Sequence, residues 1–240
     1  MTVQWVPEDW ARGLAVVAHP DDLEYGAASA IARWTGQGRW IGYVLATAGE
    51  AGIDGMDPAE SGPLRMEEER VGAAAVGVDT VEFLGHPDGI VEASLTLRRD
   101  IARQIRRFRP EVLILANYAD RWSFGGLNMA DHRAVGLAAV DAARDAGNRW
   151  VFPELLDEGW EPWSGVRRVF VNESPTAAHW VDVSATIDRG IASLRAHRQY
   201  LAGLGEGAMS DPDAFLRGNA ARSGGAVGTT YAVAFEVIDL

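Results

Sequence analysis

The chain contains no cysteine. Disulfides, thiolate metal sites and a cysteine nucleophile are therefore excluded, although the compartment stays open on this ground alone. Positive charge is also short: 22 Lys and Arg face 34 Asp and Glu, a formal net charge of −12. Nucleic acids and anionic membrane surfaces attract a Lys and Arg excess, so the expected partner is neither of these but a small molecule. No run of ~18 apolar residues occurs, and Met1–Trp10 lacks a basic segment followed by an apolar one. The expectation is a cytoplasmic protein without a membrane span. Internal repeats and low-complexity tracts are absent as well. The 240 residues, 48% of them hydrophobic, suffice for one sizeable core. The simplest organisation is a single domain over 1–240, with a core at about 12–146 and a C-terminal elaboration at about 147–240. No sequence feature fixes an oligomeric state.

What is present is concentrated in the stretch from Leu14 to Gly26, where a short apolar run gives way to His19-Pro20-Asp21-Asp22. An apolar run bounded by proline reads as a buried strand, and the alanine-rich Ala27–Trp34 reads as a helix. His19, Asp21 and Asp22 then lie in a strand-to-helix loop, at the carboxyl end of a strand, where open α/β sheets bind ligands. Pro20 fixes its own φ and biases His19 toward an extended conformation, so His19 and Asp22 can converge on one point while Asp21 points elsewhere. One imidazole and one carboxylate are two of the three protein ligands of a hydrolytic zinc site, whose fourth position holds water. The competing reading is an Asp pair that caps the following helix, with His19 exposed beside it. A second histidine at another strand end favours the metal.

Strands and helices alternate through the first two thirds. A second strand at Trp40–Thr47 is followed by a glycine-punctuated loop, Gly49–Pro58, and then by a helix opened by Pro63 and ended by Gly77. A third strand near Thr80–Leu84 leads into His86-Pro87-Asp88-Gly89. Leu97, Ile101, Ile105 and Phe108 recur at helical spacing, and Glu111–Ala116 supplies a fourth strand. The alternation predicts an α/β fold: a Rossmann-like, mostly parallel sheet with helices on both faces and a less regular C-terminal portion. Beyond the fourth strand an irregular segment ends at Asp131-His132, which opens another helix. His132 thus sits at a strand's carboxyl end, as Asp22 does. His19, Asp22 and His132 together form a candidate His₂Asp metal site, with Asp131 capping its helix or holding one of the ligands from behind.

These residues resemble a known family. Ala18-His19-Pro20-Asp21-Asp22, the spacing from Arg65 to Glu68 ahead of Gly77-Val78, and Asp131-His132 after a strand are similar to the PIG-L/LmbE-like zinc-dependent deacetylases. The resemblance implies zinc at His19, Asp22 and His132, Asp21 as general base, Arg65 as a substrate-binding residue, and N-acetylglucosamine-type substrates. Iron(II) or another divalent ion is an alternative to zinc. Relatives often read His-Pro-Asp-His at the second motif. Here the order is Met129-Ala130-Asp131-His132, so the first histidine, which helps to stabilise the transition state, is missing. In such a mechanism zinc lowers the pKa of its water toward ~7 and polarises the amide carbonyl, while Asp21 takes the water's proton and returns it to the leaving amine. With a thioether at 129 the oxyanion needs another donor, and His179, Tyr118 and Asn128 are candidates, His179 foremost.

The remaining polar residues divide between function and structure. Arg65 binds substrate or makes an i,i+3 ion pair with Glu68. Asp88 takes a sugar hydroxyl or makes a turn with Gly89. His197 reads as a structural hydrogen-bonding residue, and Arg103, Arg106 and Arg107 as a solvated helix face. Trp150, Trp160 and Trp163 either stack on a sugar or, by preference, pack a long segment over the core. The glycine-rich stretch from Gly203 to Gly228 is a candidate cover for the site. Rival functions are cleavage of a related thiol-sugar conjugate, non-haem iron oxygenation by a His-x-Asp…His triad, and non-catalytic sugar or metal binding. Helical crossovers weigh against the oxygenase, and a base beside the metal against simple binding.

Overall fold

The computed structural model describes residues 3–123 and 125–240, with the backbone alone at 208; Met1, Thr2 and Phe124 lie outside the described residues. Strand β1 (Arg12–Val17) is stopped by the His-Pro step, after which α1 (Asp22–Tyr25) makes a single turn and α2 (Ala28–Gly36) continues. The helix expected from Leu23 is thus broken at Gly26-Ala27. The break presses Gly26 against the Asn172 side-chain oxygen, where no Cβ has room. Next come β2 (Trp40–Leu45), α3 (Pro58–Ala75), β3 (Val81–Phe83), α4 (Leu95–Phe108), β4 (Val112–Leu115) and α5 (Ala130–Asp145). The C-terminal third adds α6 (Glu154–Asp157), β5 (Arg168–Asn172), β6 (His179–Asp182), α7 (Ile187–Leu194), α8 (Arg198–Gly203), α9 (Pro212–Val227) and β7 (Ala232–Asp239).

One seven-stranded sheet runs in the order β3-β2-β1-β4-β5-β7-β6. The first five are parallel, and β7 lies antiparallel between β5 and β6. The mostly parallel α/β sheet expected from the alternation is therefore the architecture, and the C-terminal strands extend the same sheet. Successive side chains of a strand face opposite ways. Ala15, Val17, Tyr43, Ile114 and Phe170 accordingly pack under Ile31, Trp34 and Ile191 on one face, while Leu14, Val16, Val44, Leu113 and Val169 pack under Leu97, Ile101 and Val135 on the other.

Several expectations are corrected. Helix α3 starts at Pro58 instead of Pro63, because the Asp57 side chain accepts from Ala59 N–H (2.9 Å) and Pro58 occupies the first turn, where its missing N–H costs nothing. Pro63 lies inside the helix and gives up one ladder bond. Arg106 is not solvated: it is buried and donates to the carbonyls of Ala146, Asn148 and Val151, tying the carboxyl end of α5 to the segment beyond. Most of the glycine-rich stretch is the helix α9, capped by Asp211, rather than a covering loop. Trp160 and Trp163 pack against the α4 and α5 face, and Trp163 donates to Pro110 O (2.7 Å), whereas Trp150 is exposed.

Candidate active site

The strand order reverses between β1 and β4, because the chain winds from β1 outward to β3 and then returns to β1's other side. A crevice opens at such a reversal, outside the carboxyl ends of the two strands. The loop after β1 brings His19, Asp21 and Asp22 to it, and the start of α5, beyond β4, brings His132. The Asp22 carboxylate first shapes its own loop: Oδ2 accepts from the N–H groups of Ala18 and His19, both at 2.9 Å. Its other oxygen faces the histidines.

Three atoms converge there. His132 Nε2 lies 3.0 Å from Asp22 Oδ1 and 3.2 Å from His19 Nδ1, and His19 Nδ1 lies 3.6 Å from Asp22 Oδ1. The far nitrogens are committed elsewhere. His132 Nδ1 is 3.1 Å from Asn128 Oδ1, whose amide nitrogen already donates to Asn117 O and Ala119 O, so Asn128 accepts and the imidazole donates. His19 Nε2 lies 3.1 Å from Asp88 Oδ1 and 3.2 Å from Asp131 Oδ2, which are pure acceptors when ionised. In its neutral form each ring therefore turns an unprotonated nitrogen toward Asp22. Two lone pairs and a carboxylate oxygen this close repel one another unless a cation lies between them. This donor set fits a divalent ion, with three protein ligands and outer partners that fix the histidine tautomers.

The electrostatics agree. Burial alone would lower the pKa of both imidazoles, but Asp22, with Asp131 and Asp88, outweighs it at His19 and holds that ring well above its usual value; Asp22 does the same at His132. Burial would raise Asp22, yet the two histidines hold it well below the carboxylate range. Such a field draws positive charge, whether as protons or as metal.

Asp21 stands apart from this convergence. Its backbone is left-handed (φ 95°, ψ −19°), its side chain caps nothing, and its carboxylate turns instead to Arg65 Nη2 at 3.4 Å and to the Tyr200 hydroxyl. Burial, partly offset by Arg65, pushes its pKa up to about 6. Arg65 itself is buried, donates to Gly49 O (2.8 Å) and Pro20 O (2.6 Å), and stacks over Tyr200. The ion pair with Glu68 expected on a solvated face does not form, since Glu68 instead accepts from Gln199 N–H at the start of α8.

The other sequence candidates fall on either side of the site. Asp88 does more than turn the chain: besides holding His19 it accepts from Ala51 N–H (2.8 Å). Asp131 accepts from Gly89 N–H (2.7 Å) and Val91 N–H (3.0 Å), clamping that loop onto α5. His179 is not brought to the site. It lies on β6, the far edge strand, four strands from β1, and at ~4.8 Å per strand that is roughly 19 Å away. Asn128 spends both amide hydrogens on backbone carbonyls and offers no free donor, whereas Tyr118 packs its ring base against α5 at Gly136 and keeps its hydroxyl as a candidate donor. Met129 is half exposed at the head of α5.

Two groups escaped the sequence reading. Glu173, just past β5 and also left-handed (φ 57°), borders a cavity of about 730 Å³ with Tyr25, Asn172 and Phe215, and burial together with Asp22 pushes its pKa up to about 7. Beneath Asp21, Glu24 and Glu69 lie wholly buried with His197, whose expected structural hydrogen bonds do not form: neither ring nitrogen has a hydrogen-bond partner. A helix-interior Glu carries no local signal of burial, so only the packing of α1, α3 and α8 reveals this group.

The model of the PIG-L family, GlcNAc-PI de-N-acetylase, matches residues 14–143. The chain belongs to the PIG-L family. Its match to the family spans β1 through α5, which carry His19, Asp21, Asp22, Arg65 and His132. Among PIG-L relatives, the diacetylchitobiose deacetylase of Thermococcus kodakarensis is 28% identical over 79% of this chain and 70% of its own length. A 1D-myo-inositol 2-acetamido-2-deoxy-alpha-D-glucopyranoside deacetylase of Acidothermus cellulolyticus is also 28% identical, over 79% of each chain. The fold is that of the N,N'-diacetylchitobiose deacetylase from Pyrococcus horikoshii: TM-score 0.86 at 21% identity, over 97% of this chain and 85% of that one. Among the described residues no helix is long and apolar enough to cross a membrane.

Proposed function

We propose that this protein is a zinc-dependent hydrolase of the cytoplasm that removes the acetyl group from the amine of an N-acetylglucosamine-type sugar or small glycoconjugate. The observation that carries the reading is the pair of imidazoles whose outer nitrogens are tied to Asn128 and to Asp88 and Asp131, leaving both inner nitrogens facing Asp22. His19, Asp22 and His132 would hold the ion. When bound there, a zinc ion supplies a Lewis acid for the amide carbonyl and lowers the pKa of water beside it.

The protein's own residues supply the remainder. Asp21, next to Asp22 in the same loop and with its carboxylate held by Arg65, accepts the proton of the attacking water and delivers it to the amine nitrogen as the C–N bond breaks. The products are acetate and a free amine. Arg65 keeps the carboxylate oriented and, by its charge, opposes the burial that would leave it protonated at neutral pH. The family resemblance and the relatives' names support the substrate class. The test is acetate release from N-acetylglucosamine, diacetylchitobiose and a glucosaminyl-inositol by metal-loaded protein without oxygen, with Asp21→Asn as control. That variant should keep its metal and lose about a hundredfold or more in turnover, the scale of a general base. No acetate from any of these substrates, or near-normal turnover by Asp21→Asn, refutes the reading.

A further inference from the structure

Asp21 occupies a conformation that L residues rarely adopt, and it does so without using its side chain to cap α1. Something else must hold it. Arg65 and the Tyr200 hydroxyl meet the carboxylate, but a third contact reaches only the backbone: Asp21 N–H donates to Glu69 Oε2 at 3.3 Å. Glu69 lies one helical turn beyond Arg65 on α3, so the guanidinium and the carboxylate approach the 20–21 peptide units from one face of one helix. Arg65 fixes the carbonyl of Pro20 and Glu69 the following N–H.

Glu69 is also an expensive residue to keep. It is fully buried, its Oε1 has no partner, and it lies 3.7 Å from His197, a fully buried ring with neither nitrogen hydrogen-bonded. A leucine would fill this place without desolvating a carboxyl. Merely stabilising the fold does not account for it.

We infer that Glu69 is a positioning residue: its carboxyl oxygen pins the Asp21 peptide in the left-handed conformation and so aims the Asp21 carboxylate at the reacting centre. The inference rests on Asp21 as the base. It requires an acceptor oxygen at this spot and no negative charge, because the donor is a neutral amide.

Three variants test it. Glu69→Gln keeps an oxygen at the same reach, Glu69→Asp withdraws it by one methylene, and Glu69→Leu removes it. Glu69→Gln should keep kcat within about threefold, while Glu69→Asp and Glu69→Leu lose about a hundredfold, as misplacement of a catalytic group by an ångström does. KM and metal stoichiometry should not change in any of them. A crystal structure of Glu69→Asp should show Asp21 out of the left-handed region. Should Glu69→Leu fail to fold, the Gln against Asp comparison decides. Equal losses in Gln and Asp, a kcat for Asp at or above that of Gln, or Asp21 still at positive φ without the contact overturns the proposal. So does a second metal per chain that Glu69→Gln loses, since that would make Glu69 a ligand. If the wild type deacetylates nothing, the catalytic reading has failed, and the backbone of Asp21 in the variant structure still decides this one.

Discussion

Asp131→Asn perturbs the candidate metal centre without touching a ligand. Three donors meet the two oxygens of Asp131: His19 Nε2 and Gly89 N–H on Oδ2, and Val91 N–H on Oδ1. Asparagine has one acceptor oxygen, so in either amide orientation its NH₂ faces at least one N–H. With the oxygen toward His19, the imidazole keeps its partner and Val91 N–H is stranded at a cost of about 1–3 kcal/mol in stability. With the oxygen toward Val91, Gly89 N–H and His19 Nε2–H both face the NH₂, and only Asp88 remains to orient the ring. Loss of such an outer partner weakens metal binding about 10–100-fold, which is about 1.4–2.7 kcal/mol. The assay is a competitive chelator titration of metal-stripped protein, paired with urea unfolding. Expected for Asp131→Asn is a lower unfolding midpoint in either orientation, with metal binding weaker by that factor where the NH₂ faces His19; Asp131→Ala, which offers no acceptor, should show the full weakening. An affinity of Asp131→Ala within about threefold of wild type, below the range for an outer partner, would falsify the claim that Asp131 orients His19; Asp88→Asn and the double variant then show whether Asp88 alone suffices.

His132→Ala should abolish stoichiometric metal binding, read by metal analysis after gel filtration, because it removes one of three ligands; equal stoichiometry in wild type and variant refutes the triad. Metal-free protein should gain stability as pH falls from 8 to 6.5. Burial raises Glu24 to about 8 and Glu173 to about 7 from an ordinary 4.5, so over this window the folded state takes up protons that unfolded carboxylates do not, and folding is favoured by acid. The raised imidazoles of His19 and His132 act in the same direction. His197, which burial lowers to about 3, opposes the trend only below its unfolded value of 6.5. A urea midpoint higher at pH 8 than at pH 6.5 refutes the assignment.

The sheet was legible because each parallel strand is an apolar run cut by Pro, Gly or a polar loop, and the crossing helices carry their own caps and periodicity. So was the meeting of His19, Asp22 and His132, since strand ends on one parallel sheet must share an edge. What could not be read is whatever depends on loops folding onto one another. Arg65 has an acidic neighbour three residues on, yet it turns inward because the carbonyls of Pro20 and Gly49 lie there. Asp88 stays open between a sugar hydroxyl and a turn, and Asp131 between a cap and a support for a ligand, until the 86–91 loop is seen clamped to α5 and both carboxylates on His19. His179 was favoured by elimination among five histidines, a criterion blind to strand order: β7, last in the chain, inserts between β5 and β6 and carries His179 outward. Glu24 and Glu69 sit on helices whose sequence gives no reason to bury a carboxylate.

The substitution at Met129 is intelligible from how the two halves of the site are supported. The half with the candidate metal centre is a web: Asp22 Oδ2 bonds its own loop, Asn128 fixes His132, and Asp88 and Asp131 fix His19, which leaves Asp22 Oδ1 and the two inner nitrogens for the ion. Changing any member strands a buried polar group, which costs far more than an exposed substitution. Met129 lies outside that web. Only its backbone takes part, donating to Asn128 Oδ1 at 2.8 Å, and its side chain is half in solvent at the head of α5. A change of side chain there leaves the tautomers of both histidines as they are. Side chains at 129 can therefore vary while the geometry of His19, Asp22 and His132 persists, because the fold constrains only the backbone there.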